Sequence, residues 1–332
     1  QKLQLPFVLH EHEVFSTISF GIVVSGEEYQ LPDAMLRDAN LAMVGAKEQG
    51  GGAYMVFNRG MHDEAVRRME LEMDLRHALE RGEFQAYYQP IVNLEHGTLA
   101  GFEALVRWNH PTKGLISPLE FIPVTEETGL IIPLGRWMLQ EACRQLKHWH
   151  SSLPNAAELT VSVNLSCKQM QHASLLDDVR EALSSSGLSP RSLKLEITES
   201  AMMQDIERAT DLLEALQAMG IRILLDDFGT GYSSLAYLHR LPIDTLKVDR
   251  SFVQHLHENK TDRHFVETIV HLAHRLQQDV ICEGVELEEQ ADILAAMGVG
   301  YIQGFLYSRP VAANEAEILI LTGFDQNAEL PA

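Results

Sequence analysis

The 332-residue chain is 45% hydrophobic and carries 26 Lys and Arg against 47 Asp and Glu, a formal net charge of −21. Such a field repels long nucleic acid and anionic membrane surfaces, while leaving room for a small phosphate-bearing substrate that cations escort. The scattered Cys143, Cys167 and Cys282 lack disulfide or metal spacing, and neither a signal peptide nor a run of about 18 apolar residues is present, so a cytoplasmic domain is expected.

The chain opens on Gln1 in mid-sequence and reads as a piece of something longer, whose preceding segments could carry a sensor or a membrane tether. Residues 14 to 57 predict strand, helix, strand: "VFSTISFGIVV", "PDAMLRDANLAMVGAKEQG" and "AYMVF". "MHDEAVRRMELEMDLRHAL" is rich in helix formers and predicts a connecting helix, so the organisation expected is a small piece over 1–59, a linker helix over 60–81 and a large domain over 82–325. That domain starts with "FQAYYQPIVNL" and "LAGFEALVRW" around "EHGT", an antiparallel hairpin. Ser117, Pro118 and Glu120 predict a capping box at the next helix start. A second helix sets Leu139, Ala142, Leu146 and Trp149 on one face.

From "LTVSVNLS" onward strands and helices alternate to "YIQGFL", with Leu212, Leu213, Leu216 and Met219 striping one helix that stops at Gly220. Seven or eight such strands in the large domain predict an α/β architecture closed as a TIM-like (β/α)8 barrel rather than an open sheet. Strand parity then becomes informative. In "LKLEIT", Leu193, Leu195 and Ile197 share one face and Lys194, Glu196 and Thr198 the other; the apolar face should meet the outer helices and the polar one the interior. Barrel interiors are normally filled by Val, Ile and Leu, so buried acids there need a reason.

Strand ends supply it: Glu103, Asn164, Glu196, Asp226 with Asp227, Lys247, Glu283 and Gln303 would converge on one mouth if the barrel closes. Five carboxylates against one Lys do not make a neutral network. An all-oxygen ligand set without Cys or His points to hard divalent cations such as Mg²⁺ or Mn²⁺, and two close ions suit that many anions better than one. Such a pair suits hydrolysis of a phosphate diester. Neither "HEHE" at 10–13 nor His264, His271 and His274 makes a closed ligand set, and they are read as solvated. The Gly-Thr-Gly of residues 229–231 is read as a gate or coupling loop.

The series "YQPIV", "GFEALVRWNHP", "FIPVTEETGLI", "VSVNLS", "LEITES", "DDFGTGYSSL", "LKVDRSFV", "CEGVE" and "QGFLYSRP" resembles the EAL family of cyclic-di-GMP phosphodiesterases, over residues 82 to about 316. The resemblance implies a barrel whose first strand is antiparallel, cutting cyclic di-GMP to linear pGpG with two Mg²⁺ or Mn²⁺ ions. It assigns Glu103, Asn164, Glu196 and Asp226 to one ion, with Asp226 bridging to a second that Asp227 and Glu283 help to hold. Lys247 would position the attacking water, with Glu103 and Glu283 as its catalytic neighbours, and Gln89, Leu105, Arg107 and Gln303 would face the substrate. Glu199 would anchor the "DDFGTGYSSL" loop, which in this family lies near a homodimer interface on the barrel. Cys282 stands where Ala is usual, most simply as a small packed residue. A catalytically silent cyclic-di-GMP receptor is the alternative, although such members usually lack ligands that are all present here. An enolase-type lyase fits in outline but leaves the adjacent Asp226 and Asp227 unexplained. "ISFGIVV" and "LRDANLAMVGAKEQGGGAYMVF" resemble the closing third of a GGDEF domain, with Asn40 and Val44 in place of its common Asp and Tyr. The GGDEF signature is not in the sequence, so no cyclase activity is expected of this piece.

Overall fold

The computed structural model describes residues 17–324 except 27, 28, 30, 49, 204 and 230–239, together with the backbone of 7–9 and 12–14. Short strands β1 (Phe7–Leu9) and β2 (His12–Val14) pair antiparallel, and β3 (Phe20–Ile22) runs parallel to β4 (Tyr54–Val56), with α1 (Pro32–Glu48) between them in sequence. Of the "HEHE" run, residues 10 and 11 lie outside the described residues. The connecting helix is α2 (Arg59–Ala78), and the division between two compact units falls inside it, between Arg76 and His77, earlier than the expected start near Gly82. No helix among the described residues is long and apolar enough to cross a membrane.

In the second unit, β5 (Phe84–Asn93) and β6 (Thr98–His110) form the predicted antiparallel hairpin, which β7 (Gly114–Ile116) extends. Ser117 then caps α3 (Pro118–Thr128), but its side chain accepts from the Leu119 N–H and the reciprocal half of the expected capping box is not formed. Next come α4 (Ile131–Ser152), β8 (Thr160–Leu165), α5 (Cys167–Gln171), α6 (Leu175–Ser186), β9 (Leu193–Thr198), α7 (Glu199–Met202), α8 (Ile206–Ala218) and β10 (Arg222–Phe228). The chain continues through β11 (Thr245–Val248), α9 (Arg250–Val253), α10 (Lys260–Arg275), β12 (Asp279–Cys282), α11 (Glu288–Ala296), β13 (Tyr301–Gln303), β14 (Val311–Ala312) and α12 (Ala313–Thr322).

Strands β6, β8, β9, β10, β11, β12 and β13 pair in parallel in that order, and β5 closes the ring antiparallel to both β6 and β13. The barrel with an antiparallel first strand is therefore present. Its outer layer follows the predicted parity: Leu193, Leu195 and Ile197 are fully buried in the main core, as are Ala142, Leu146 and Trp149 of α4. Trp149 packs against Tyr88 and Phe102 at ring distances of 4.8 and 5.2 Å. Each aliphatic side chain so buried contributes about 1.5–3 kcal/mol, which fixes the helices to the barrel wall.

The interior is different. Ile91, Leu224 and Ile281, with Tyr301 against them, form a small separate apolar cluster. Above it, toward the strand C-termini, the inward positions turn polar.

One irregularity aims that polar layer. On the β10–β11 edge Leu225 pairs with Leu246 and Phe228 with Val248, so β10 spends one residue more than its neighbour over the same span, a β-bulge. Asp227 is the extra residue, with φ +55°, and its N–H donates to Asp226 Oδ1 at 2.9 Å. Left-handed backbone is costly for most side chains but tolerated by Asp and Asn. Asp227→Val should therefore lower unfolding stability in EDTA by about 1–2 kcal/mol, whereas Asp227→Asn stays near wild type. Denaturant melts of the two variants measure the difference, and equal stabilities would remove the backbone argument.

Candidate active site

Closure of the barrel brings Glu103 (β6), Glu196 (β9), Asp226 (β10), Lys247 (β11) and Glu283, just past β12, to one point. The Lys247 side chain is 0% exposed, and its Nζ lies 3.5 Å from Glu103, 3.4 Å from Asp226 and 2.5 Å from Glu283 while also hydrogen bonding to Glu196. A buried ammonium survives only when paired, and here four carboxylates share it. Oxygens of Glu103, Glu196 and Glu283 lie within 4.8 Å of one another, a spacing that suits a shared cation.

Amides complete the cluster. Asn164 Nδ2 and Gln303 Nε2 each donate to a Glu103 oxygen at 2.6 Å, and Gln303 also donates to Gln89 Oε1 at 3.0 Å. Gln89 reaches the mouth because β5 runs backwards: it is the cross-strand partner of Glu103, so both side chains leave the same face. Gln89 Nε2 in turn donates to the Ser308 carbonyl at 3.4 Å.

The charge balance is uneven. Burial pushes the Glu103 carboxyl up, but Lys247 and the two amide donors outweigh it and hold Glu103 below the usual carboxylate range. Burial, then Glu103, Asp226 and Glu283, drive Glu196 well above that range despite Lys247. Burial against the same ammonium leaves Glu283 at about 7. Burial opposes the charge on Lys247, yet the surrounding acids raise its pKa well above normal and keep it cationic. With one fixed positive charge among these acids, the cluster retains protons where a divalent cation would otherwise supply the charge.

Two further atoms bear on that point. Glu196 Oε1 and Gln303 Oε1 are buried without a hydrogen-bond partner among the described residues. Buried oxygen acceptors left open beside a surplus of carboxylates fit a hard cation. The donor set thus fits a hard metal cation.

The remaining predicted residues are less central. Asp227 is exposed beside the cluster, its carboxyl raised by burial of its surroundings and then by Asp226 and Asp249. Leu105 and Arg107 lie farther along β6, where Arg107 Nη1 donates to the Val106 carbonyl at 2.9 Å and its guanidinium sits 5.5 Å from the Tyr87 ring centroid. Glu199 is buried at the start of α7, but the loop it was expected to anchor runs into residues 230–239, outside the described residues. Cys282 is fully buried, in keeping with a packed residue. Sequence reasoning missed Tyr87, which shares strand parity with Gln89, and Asp249, which shares it with Lys247 and caps α9 through the Ser251 N–H at 3.0 Å.

A family profile described as EAL domain matches residues 72–310. The chain is 42% identical over 315 residues to the bifunctional diguanylate cyclase/cyclic di-GMP phosphodiesterase MucR of Pseudomonas aeruginosa, covering 95% of this chain and 46% of that protein. It is 37% identical over 312 residues to the cyclic di-GMP phosphodiesterase PdeR of Escherichia coli, covering 94% and 47%. The chain spans less than half the length of these curated relatives. Among solved structures, the PaMucR phosphodiesterase in complex with c-di-GMP is 46% identical with a TM-score of 0.71, covering 74% of this chain and 99% of that one. The EAL enzyme Bd1971, bound to cAMP and cyclic-di-GMP, is 37% identical with a TM-score of 0.74, covering 77% and 70%.

The raised Glu283 carboxyl carries a sign. Its ordinary value of 4.5 rises to about 7 on folding, so its stabilising contribution is full below about pH 4.5 and is lost as pH rises through about 7. In EDTA, Glu283→Gln should flatten the pH–stability profile between about pH 5 and 8 by up to about 3 kcal/mol. Guanidinium melts across that range give the slope, and an unchanged slope would place the retained proton on another group.

Proposed function

Because this chain belongs to the EAL domain family, we propose that its barrel hydrolyses cyclic di-GMP to linear pGpG with two Mg²⁺ or Mn²⁺ ions. The observation carrying this reading is the convergence of Glu103, Glu196, Asp226 and Glu283 on the buried Lys247 at the barrel mouth. Glu103, Asn164, Glu196 and Asp226 would hold one ion, and Asp226, Asp227 and Glu283 the other. When bound, the ions supply the positive charge that activates a water and stabilises both the attacking and the leaving oxygen.

The chain's own residues do the rest. Lys247, released from part of its present pairing, orients the attacking water between Glu103 and Glu283. The Gln89–Gln303–Glu103 hydrogen-bond chain fixes the floor on which the ester lies. Arg107, next to the mouth on β6, offers a planar guanidinium to a non-bridging phosphate oxygen, and Leu105 an apolar contact one step inward on the same face. Residues 1–59 belong to this proposal as the closing part of a GGDEF-like domain, supported by the β3–α1–β4 unit, and so do a homodimer through the barrel, an upstream regulatory region and a cytoplasmic setting.

Purified protein with Mg²⁺ should convert cyclic di-GMP to pGpG on ion-exchange chromatography. EDTA should abolish turnover, and Glu103→Ala should lower kcat at least about a hundredfold with its circular dichroism unchanged. A folded wild type that binds cyclic di-GMP but yields no pGpG with either ion would sink the phosphodiesterase reading. Since ions compete with protons on Glu196 and Glu283, their affinity should fall as pH drops below about 7. Calorimetric titrations of Mn²⁺ at about pH 6 and 8, with proton release measured in two buffers, check this directly.

A further inference from the structure

The segment after β13 carries an aromatic ring that the site described so far does not use. Phe305 is 46% exposed, and the guanidinium of Arg309 lies over it at 4.2 Å from the ring centroid. Exposed large aromatics forgo burial, so one that pairs with a cation and stands two residues from Gln303 invites a ligand face.

The segment holding this pair is pinned on both sides. Leu306 N–H donates to the Val285 carbonyl at 3.0 Å, and Val285 N–H donates to the Gln303 carbonyl at 3.2 Å. A Cβ at Gly304 would come within 2.0 Å of the Val285 carbonyl oxygen, so only glycine lets the chain approach this closely. Beyond the ring, Ser308 Oγ donates to the Arg309 carbonyl at 2.7 Å, the Ser308 carbonyl accepts from Gln89, and β14 pairs Ala312 with Tyr87. Phe305 therefore stands two residues from Gln303, a member of the carboxylate network, on backbone fixed by groups of the same network. The ring is presented rather than left loose.

Resting on the phosphodiesterase reading, we propose that Phe305 and Arg309 form a stacking platform for one purine of the substrate and set specificity at the barrel mouth. A purine stacks on the exposed ring, while the Arg309 guanidinium keeps the ring in place and supplies positive charge toward the nucleotide's phosphate side. The arrangement selects a nucleotide diester over one without a flat base. It does not touch the reacting atoms, so its effect is on binding.

Phe305→Ala, Phe305→Trp and Arg309→Ala test this by steady-state hydrolysis of cyclic di-GMP. Phe305→Ala should raise KM about tenfold, in the lower part of the range for base stacking, with kcat within about twofold. Phe305→Trp should keep the wild-type KM, and Arg309→Ala should raise it less than Phe305→Ala does. An unchanged KM in Phe305→Ala, or equal losses in Phe305→Ala and Phe305→Trp, would overturn the platform, the second by showing that the position only supports the fold. If the wild type binds cyclic di-GMP without cleaving it, the phosphodiesterase reading fails by itself. The same variants then decide the platform through Kd in equilibrium dialysis, with the same order expected.

Discussion

A single ammonium buried among acids sets the terms for the rest of the barrel. Lys247 lies near the end of β11, where all four residues are buried, and its side chain is withdrawn from solvent. Its desolvation is offset by Glu103, Glu196, Asp226 and Glu283, and their mutual repulsion is in turn held in check by Lys247. Neither side is tolerable without the other, because a lone buried charge costs several kcal/mol. The strands must close to the register that brings these groups within reach, and this electrostatic demand joins the hydrophobic demand made by the outer helices.

Two local devices satisfy that register. The bulge at Asp227 leaves that acid exposed beside Asp226, where strict alternation would have sent it to the outer layer. The reversed β5 brings Gln89 in beside Glu103, and Gln89 then links the strand to the segment after β13 through Gln303 and Ser308. A buried apolar cluster of Ile91, Leu224 and Ile281 lies below them, a low-polarity base on which the charges above are strongly felt.

The acidity of the whole chain poses a question for an anionic substrate. A net charge of −21 repels a phosphate diester at long range, yet the proposed mouth supplies Arg107, Arg309 and the charge of two cations locally. Screening shortens the reach of the distant acids to about 8–10 Å in physiological salt, while contacts within the mouth are much less screened. Overall charge thus argues against long polyanions without arguing against a small one.

Much of the fold was legible from periodicity. Apolar stripes such as Leu139, Ala142, Leu146 and Trp149 mark helix faces directly, and the alternation of "LKLEIT" assigns Leu195 outward and Glu196 inward, because side-chain direction along a regular element is a local property. The residue types of the candidate site were legible for the same reason, Asn164, Asp226, Lys247 and Gln303 standing at or near a strand end, although Glu103, expected at one, lies midway along β6 because that strand runs on to His110. The three short helices α5, α7 and α9 were not, being too brief to show a period. The positive φ of Asp227, the open oxygens of Glu196 and Gln303, the guanidinium over Phe305 and the sharing of Lys247 by four acids were not legible either. The first and third arise within a few residues, from a bulge and a turn too irregular to show a period, whereas the surroundings of Gln303 and the sharing of Lys247 join residues far apart in the chain, 200 positions between Gln303 and Glu103, and only closure of the barrel fixes them. The sequence by itself determined which groups face inward, through the two-residue period of a strand; the tertiary structure alone decided which of them meet, because strand register and closure are set by packing around the whole ring.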